Sequence, residues 1–523
     1  MIPFDASGAF HPAAEGGELR RLAVRGAAAT LSAAALSLGL RVIGTVLLAR
    51  LLTPTDFGVV AMVTTFSLLL MSFGTSGLSE AVIQREEINE SQASNLFWIT
   101  CLIGLTLTLG FAASGHLLAR FFRNALVVPI TAGTSIAIFL NGAGTIHSAL
   151  LKRAMRFTAV SANDLVGLGA YTAVAILLAL RGWGYWALVI AIVAQVLSLT
   201  VGSFWLCRWI PRLPRRGVGT GAFLGFAATV YGRFSVNYFT RNFDNLLVGW
   251  RFNAASLGFY KKAYDLFALT ASQLTQPLDN VALAALSRLN QDPPRFRRYL
   301  AGSLGMIAFV GFAASADLTL VGRDVVRLVL GPQWSEAGRI FQLFGPGIAG
   351  MLLASTVGWI HLSIGQPGRW LRWTVIESTT TALLFILALP WGPAGIALAW
   401  SASYWALLIP SFWYAGRPIG FGISAFVGAV WRYAAASLLA CFGTAAIFQG
   451  TAVWTRPTEA RIALEATVVF SLAFVAFYLA AVVLLHWGFA PLRQVASVLR
   501  HLGPRRSTRA TSSPALEPVG EYK

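Results

Sequence analysis

The residues of this chain best suited to chemistry are ionisable side chains placed inside apolar stretches of bilayer-spanning length. Arg41 lies in the first stretch, on one helical face with Ser37 and Thr45. Two further polar stripes follow at helical spacing in the seventh and eighth stretches: Arg233, Asn237, Arg241 and Asp244, then Lys261, Asp265, Ser272, Gln276 and Asp279. An ionisable group at bilayer depth is costly unless it faces a partner or a water-filled cavity. Each of these groups is therefore a candidate functional residue.

An excess of arginine predicts an anionic ligand, because a guanidinium group offers a rigid fork of donors to phosphate oxygens. The predicted ligand-binding residues are Arg41, Arg233, Asn237, Arg241, Lys261, Asp265 and Gln276. The alternative is structural pairing at helical spacing, in the two pairs Arg241–Asp244 and Lys261–Asp265. That pairing accounts for the carboxylates but leaves Arg41 and Arg233 without a local partner.

Two carboxylates deep in other stretches are candidates for a coupling ion, either H⁺ or Na⁺. They are Glu377 in the eleventh stretch and Asp164 in the fifth. The alternative for Glu377 is a buried structural hydrogen bond. Asp317 and Glu465 lie nearer the outer ends of their stretches, and we expect them to be solvated.

No motif supports an enzyme, a metal site or a cofactor. The six His residues are scattered without ligand spacing, and no phosphate-binding GxxxxGK[ST] loop occurs. Three cysteines, Cys101, Cys207 and Cys441, lie in or beside apolar segments without disulfide or metal spacing. The net charge of +19 does not indicate nucleic acid, because cytoplasmic loops of membrane proteins are themselves rich in Lys and Arg.

These residues sit in an all-α polytopic membrane protein. Hydrophobic residues make up 56% of the chain and charged residues 12%, which is typical of the membrane class. The predicted spans are 26–49, 57–79, 93–115, 126–149, 158–180, 183–206, 220–249, 257–286, 298–321, 338–363, 370–389, 393–415, 425–449 and 462–487.

The orientation follows from Lys and Arg in the connections, which are about twice as frequent on the side that holds both termini. Both termini are therefore predicted to be cytoplasmic, and the first span is too long to be a cleaved signal segment. The predicted organisation is an N-terminal segment (1–25), an N-lobe of six helices (26–206), a basic linker (207–219), a C-lobe of six helices (220–415), two further helices (425–487) and a disordered tail (488–523).

The two lobes are predicted from a weak internal repeat. Gly58 and Gly258 follow similar segments, LLARLLTPTDFG and LLVGWRFNAASLGFY, 200 residues apart. A second pair of similar segments, RGWGYWALVIA and LPWGPAGIALA, is offset by 208 residues. Six helices per block make the repeats parallel, related by an axis along the membrane normal. Spans 1, 2, 7 and 8 should line a cleft between the lobes, spans 13 and 14 should lie outside it, and the two glycines should supply positive φ at equivalent outer turns.

Several segments resemble the signatures of a known family. They are LARLLTPTDFGVVAMV, ALLKRAMRF, GWGYWALV, RNFDNLLVGWRFNAASLGFYKKAYDL and VRLVLGPQW. Their pattern is similar to that of the bacterial polysaccharide transporters, the Wzx-like oligosaccharide flippases of the multidrug and polysaccharide exporter superfamily. The likeness runs from about Gly26 to Trp487.

The resemblance implies a two-lobed fold of fourteen helices in the bacterial cytoplasmic membrane. It also implies alternating-access transfer of an undecaprenyl-pyrophosphate-linked oligosaccharide, with polysaccharide polymerase and chain-length proteins as partners. Three alternatives stay open: a multidrug-type exporter, a lipid II flippase, and a scaffold of an assembly complex. A drug exporter for cations should have an acidic cleft, and a scaffold needs no unpaired intramembrane arginine.

Overall fold

The computed structural model describes residues 3–5, 7–10, 17–73, 77–85, 87–448 and 460–493, with the backbone alone at 17–29, 271, 274–281 and 460–463. Within these residues the fold is all-α, as predicted. The helices are α1 Gly17–Leu51, α2 Pro54–Phe73, α3 Ser79–Gln84, α4 Glu90–Ala113, α5 Gly115–Phe122, α6 Val127–Arg153, α7 Phe157–Leu180, α8 Tyr185–Cys207, α9 Gly221–Arg251, α10 Ala254–Arg288, α11 Pro293–Leu330, α12 Ser335–Ser363, α13 Pro367–Ala388, α14 Gly392–Gly416, α15 Ile423–Phe448 and α16 Ala460–Leu485.

Eleven stretches of the described residues are long and apolar enough to cross a membrane, and one of them, Pro367–Ile419, contains both α13 and α14. The helices with the polar stripes, α9 and α10, are not among the eleven. With those two included, the described helices are consistent with fourteen spans. We call the end where α1 meets α2 the outer end, because the charge bias predicts that it faces outward.

The repeat is visible in the backbone. Gly184 and Gly392 lie 208 residues apart. Gly184 immediately precedes α8, and Gly392 is the first residue of α14; their φ angles are +52° and +75°. Only glycine adopts such angles without steric cost. The prediction that Gly58 and Gly258 serve the same purpose is wrong: each is the fifth residue of its helix, α2 or α10, and neither has a positive φ.

The last two helices pack outside the cleft, against α11. The Tyr478 hydroxyl on α16 donates a 2.7 Å hydrogen bond to the Phe309 carbonyl on α11. Nearby, the Ser471 hydroxyl donates to the Asp317 carboxylate at 3.2 Å. The expectation that Asp317 is solvated near an outer end is therefore wrong, because α11 continues to Leu330 and turns this carboxylate toward α16.

The basic linker lies along the start of α4. The Arg212 guanidinium pairs with Glu90 at 2.9 Å, and the Trp98 indole donates to the Arg212 carbonyl at 2.9 Å. The Asn95 amide donates to the Arg215 carbonyl at 2.6 Å. These contacts fix the path by which the chain passes from α8 to α9. Most of the predicted disordered tail, from residue 494 onward, lies outside the described residues.

Candidate functional site: a cationic cleft between the lobes

The candidate site lies where α1 and α2 face α9 and α10. At the outer end these helices belong to one apolar core that includes Leu48, Val59 and Leu257. On the inner half of α1, by contrast, nearly every described residue from Thr30 to Gly39 is exposed or half-buried. The two lobes are thus joined at the outer end, and α9 also packs against α2 and α3 further in, so the space that remains lies beside the inner half of α1. We call this space the inter-lobe cleft.

Arg41 lies on the polar side of α1. It is exposed, while Gly44, three residues on, packs against the Thr172 side chain of α7. At about 100° per residue, Arg41 points about 160° away from Ile43 and about 140° away from Leu36. Those two apolar side chains are 56% and 65% exposed, which marks the lipid-facing side of α1. Arg41 is therefore on the side of α1 opposite these two exposed apolar side chains.

The stripe on α9 is held by contacts with α2. The hydroxyls of Tyr231 and Tyr238 donate to the carbonyls of Leu69 and Thr65 at 3.1 and 2.9 Å. These contacts fix the rotation of the helix, because each tyrosine anchors one face of it. The stripe itself is exposed along its length, at Arg233, Asn237 and Arg241.

Asp244 is separated from that stripe. Its carboxylate is fully buried and accepts hydrogen bonds from the Tyr260 hydroxyl at 2.7 Å and the Trp400 indole at 2.9 Å. The predicted local pair of Arg241 with Asp244 is therefore wrong, since these donors come from α10 and α14 instead. Arg241 stays exposed and forms no ion pair with any described residue.

The second pair named as the alternative, Lys261 with Asp265, is present. The Lys261 ammonium contacts the Asp265 carboxylate at 2.5 Å, one turn along α10. Both side chains are partly exposed, so this pair contributes little to stability. Asp265 also lies close enough to Tyr171 of α7 to interact with it electrostatically across the lobes. The Gln276 side chain lies outside the described residues.

Glu377 on α13 lines a small cavity inside the C-lobe. The cavity is bounded by α12, α13 and α14, with Trp370, Trp373, Ser403, Tyr404 and Ser411 among its lining residues. Glu377 is half-buried and forms no hydrogen bond with any described residue. It does interact electrostatically with Arg241. The helix that carries Glu377, α13, also contacts α9, the helix of the arginine stripe.

Asp164, the other candidate for a coupling ion, belongs to the opposite lobe. It is exposed on α7, about 10 Å from the inner end of that helix at 1.5 Å rise per residue. Its electrostatic neighbour is Lys152 on α6. Asp164 and Glu377 therefore do not form one site.

A sequence model of the family described as "Polysaccharide biosynthesis protein" matches residues 47–339. This match covers more than half of the chain. The chain belongs to this family.

Curated relatives in the family are distant in sequence. "Lipopolysaccharide biosynthesis protein WzxC" of Escherichia coli is 21% identical over 332 residues, covering 62% of this chain and 66% of that protein. "Succinoglycan biosynthesis transport protein ExoT" of Rhizobium meliloti is 22% identical, covering 66% and 69%. "Teichuronic acid biosynthesis protein TuaB" of Bacillus subtilis is 22% identical, covering 57% and 62%.

Solved structures show the same fold. The structure titled "Lipid II flippase MurJ, inward closed conformation" superposes with a TM-score of 0.67 at 16% identity, covering 88% of this chain and all of that one. An inward-facing multidrug resistance transporter of the MATE family superposes with a TM-score of 0.57 at 12% identity, covering 73% and 94%. The chain therefore shares the fold of these two proteins, as the resemblance predicted.

Two groups of functional contacts were missed by sequence reasoning. One is the burial of Asp244 by Tyr260 and Trp400. These two residues lie on other helices, so their spacing from Asp244 in the sequence shows no helical periodicity. The other joins the lobes: the Trp334 indole donates to the Ala49 carbonyl at 2.7 Å. Trp334 ends the segment VRLVLGPQW, so the family signature gave the residue but not its partner.

Proposed function

We propose that this family member moves a lipid-pyrophosphate-linked oligosaccharide, carried on undecaprenol, across the bacterial cytoplasmic membrane by alternating access. The glycan then serves exopolysaccharide, capsule or O-antigen synthesis, where a polymerase and chain-length proteins act on it. The observation that carries the proposal is the exposed set of Arg41, Arg233 and Arg241 on cleft-lining helices, with no ion-pair partner among the described residues. The names of the curated relatives support the substrate class.

The proposed role of the arginines is to bind the pyrophosphate. Diphosphate oxygens accept the paired donors of a guanidinium group in charge-assisted hydrogen bonds, which are stronger than those between neutral groups. Arg41 and Arg233 lie on helices of opposite lobes, so a headgroup held by both would be released when the lobes move apart. The cations also disfavour a cationic drug as substrate, because like charges repel.

Polymer export in a strain lacking the native gene tests this assignment. Arg41→Ala and Arg233→Ala together should abolish export with normal membrane insertion. Arg→Lys should restore export only partly, because a point charge does not reproduce the bidentate fork. Arg432→Ala is the matched control: its guanidinium rests beside Trp431 on α15, outside the cleft. Full export by the double alanine variant would refute the role of the cleft.

The proposed coupling ion is a proton carried by Glu377. The lining of its cavity offers a carboxylate, two serine hydroxyls and aromatic rings. Na⁺ needs several oxygen ligands that converge on one point, whereas a proton needs only the Glu377 carboxylate, and the Ser403 and Ser411 hydroxyls are turned to carbonyls of their own helix. A proton instead neutralises Glu377 and leaves Arg241 available to the substrate. Export that depends on Na⁺ at constant pH would contradict this choice of ion.

A further inference from the structure

The outer ends of α2 and α10 cross at two glycines. A Cβ atom added to Gly58 would overlap the Ala254 carbonyl and lie 2.9 Å from the Gly258 nitrogen. A Cβ atom added to Gly258 would overlap the Pro54 carbonyl and lie 3.2 Å from the Gly58 nitrogen. Both glycines are buried. The two backbones therefore touch directly, with no space for a methyl group on either side.

This contact is reciprocal. Pro54 and Ala254 are 200 residues apart, as are Gly58 and Gly258. Each carbonyl faces the glycine of the other lobe, so the crossing lies at the axis that relates the repeats. Contacts of Cα–H groups with carbonyl oxygens are individually weak, so such a surface can separate without breaking a strong bond.

Side chains around the crossing join the same two lobes. The Lys262 ammonium lies 4.0 Å from the centre of the Phe57 ring. The Trp334 ring packs edge-on against Phe57 at 5.5 Å and donates to the Ala49 carbonyl. The Arg50 guanidinium donates to the Leu328 carbonyl at 2.8 Å. The outer end is thus held closed by a compact group of contacts around the two glycines.

We propose that the Gly58–Gly258 crossing is the outer gate, and that the lobes must part at this point for substrate to leave. Glycine at these two positions allows the two backbones to touch. A larger residue at either position pushes the helices apart and therefore favours the open gate. The proposal rests on the alternating access proposed above. It identifies the contact that keeps the outer end closed in the resting state.

The test measures access to the cleft from outside. In a variant with its three cysteines replaced by serine, Thr45→Cys on α1 is labelled with a membrane-impermeant maleimide. Gly58→Ala or Gly258→Ala should speed labelling by about tenfold or more, because overpacking of this kind costs enough to shift such an equilibrium. Gly39→Ala and Gly225→Ala are matched controls on helices, since a Cβ atom at either meets nothing within 4 Å.

Further outcomes separate the gate from the transport function. Trp334→Phe adds no bulk and removes the bond to Ala49, so it should also speed labelling, though less than the alanine variants. Labelling of Gly58→Ala and Gly258→Ala at control rates, in protein that runs as a monodisperse peak, overturns the gate. If the alanine variants label faster while the unsubstituted chain fails to restore export of polysaccharide, the gate stands and the proposed substrate alone is contradicted.

Discussion

The two lobes share a backbone plan but differ in the charges they turn toward the cleft. Arg41 and Arg241 are 200 residues apart, like Gly58 and Gly258, and each arginine lies ten residues before the last residue of its helix. Both are exposed. The positions that the repeat preserves are thus one cation per lobe and the glycine contact at the outer end.

The C-lobe carries additional charge at positions where the N-lobe has none. The C-lobe residues and their N-lobe counterparts are Arg233 and Ala33, Asp244 and Gly44, Lys261 and Ala61, Asp265 and Thr65, and Glu377 and Gly169. Since both lobes fold to the same plan, the fold does not require these charges. The comparison separates substrate contact at Arg41 and Arg241 and gating, which both lobes share, from what the C-lobe alone provides: ion coupling at Glu377 and a further substrate cation, Arg233.

The largest expected effect comes from the symmetric cations. If both contact the same diphosphate, Arg41→Ala and Arg241→Ala should each lower export by about 10- to 100-fold, the loss expected for a charged hydrogen bond. The two losses should be similar. Initial rates of lipid-linked oligosaccharide transfer in vesicles measure this. A loss in Arg241→Ala alone would break the symmetry and assign recognition to the C-lobe.

The next effect tests ion coupling in the C-lobe. Glu377→Gln should remove the dependence of transfer on the proton gradient and slow transfer, because an amide side chain cannot carry the coupling proton. Asp164→Asn in the N-lobe is the matched control and should keep the gradient dependence. If the two variants behave alike, coupling is shared by both lobes.

A smaller effect concerns stability in the C-lobe. Asp244→Ala should leave the Tyr260 hydroxyl and the Trp400 indole buried without an acceptor, a cost of about 1–3 kcal/mol for each group. Thermal unfolding in detergent should show a lower midpoint. Trp400→Phe removes one donor and should cost about 1 kcal/mol. An unchanged midpoint for Asp244→Ala would show that water satisfies both donors.

The sequence predicted the helices well because apolar length is a local property. It also predicted the repeat, since glycines at the crossing and before α8 and α14 recur at fixed offsets. It misjudged why Gly58 and Gly258 are glycine, because close approach of two helices far apart in sequence leaves no local signal. For the same reason the spacing of Arg241 and Asp244 suggested a pair, whereas the donors to Asp244 come from other helices.

The smallest expected effect is at the ion pair on α10. Lys261 and Asp265 are partly exposed, and the N-lobe has Ala61 and Thr65 in their places. If the pair is only a surface contact, Asp265→Asn should change the unfolding free energy by less than about 1 kcal/mol. A substrate role for the ammonium gives a different result. Removing its partner would then free Lys261 for the diphosphate, so transfer by Asp265→Asn would be equal or faster, whereas Lys261→Met would be slower at the same stability. Equal transfer rates in both variants would place the pair outside the path of the substrate.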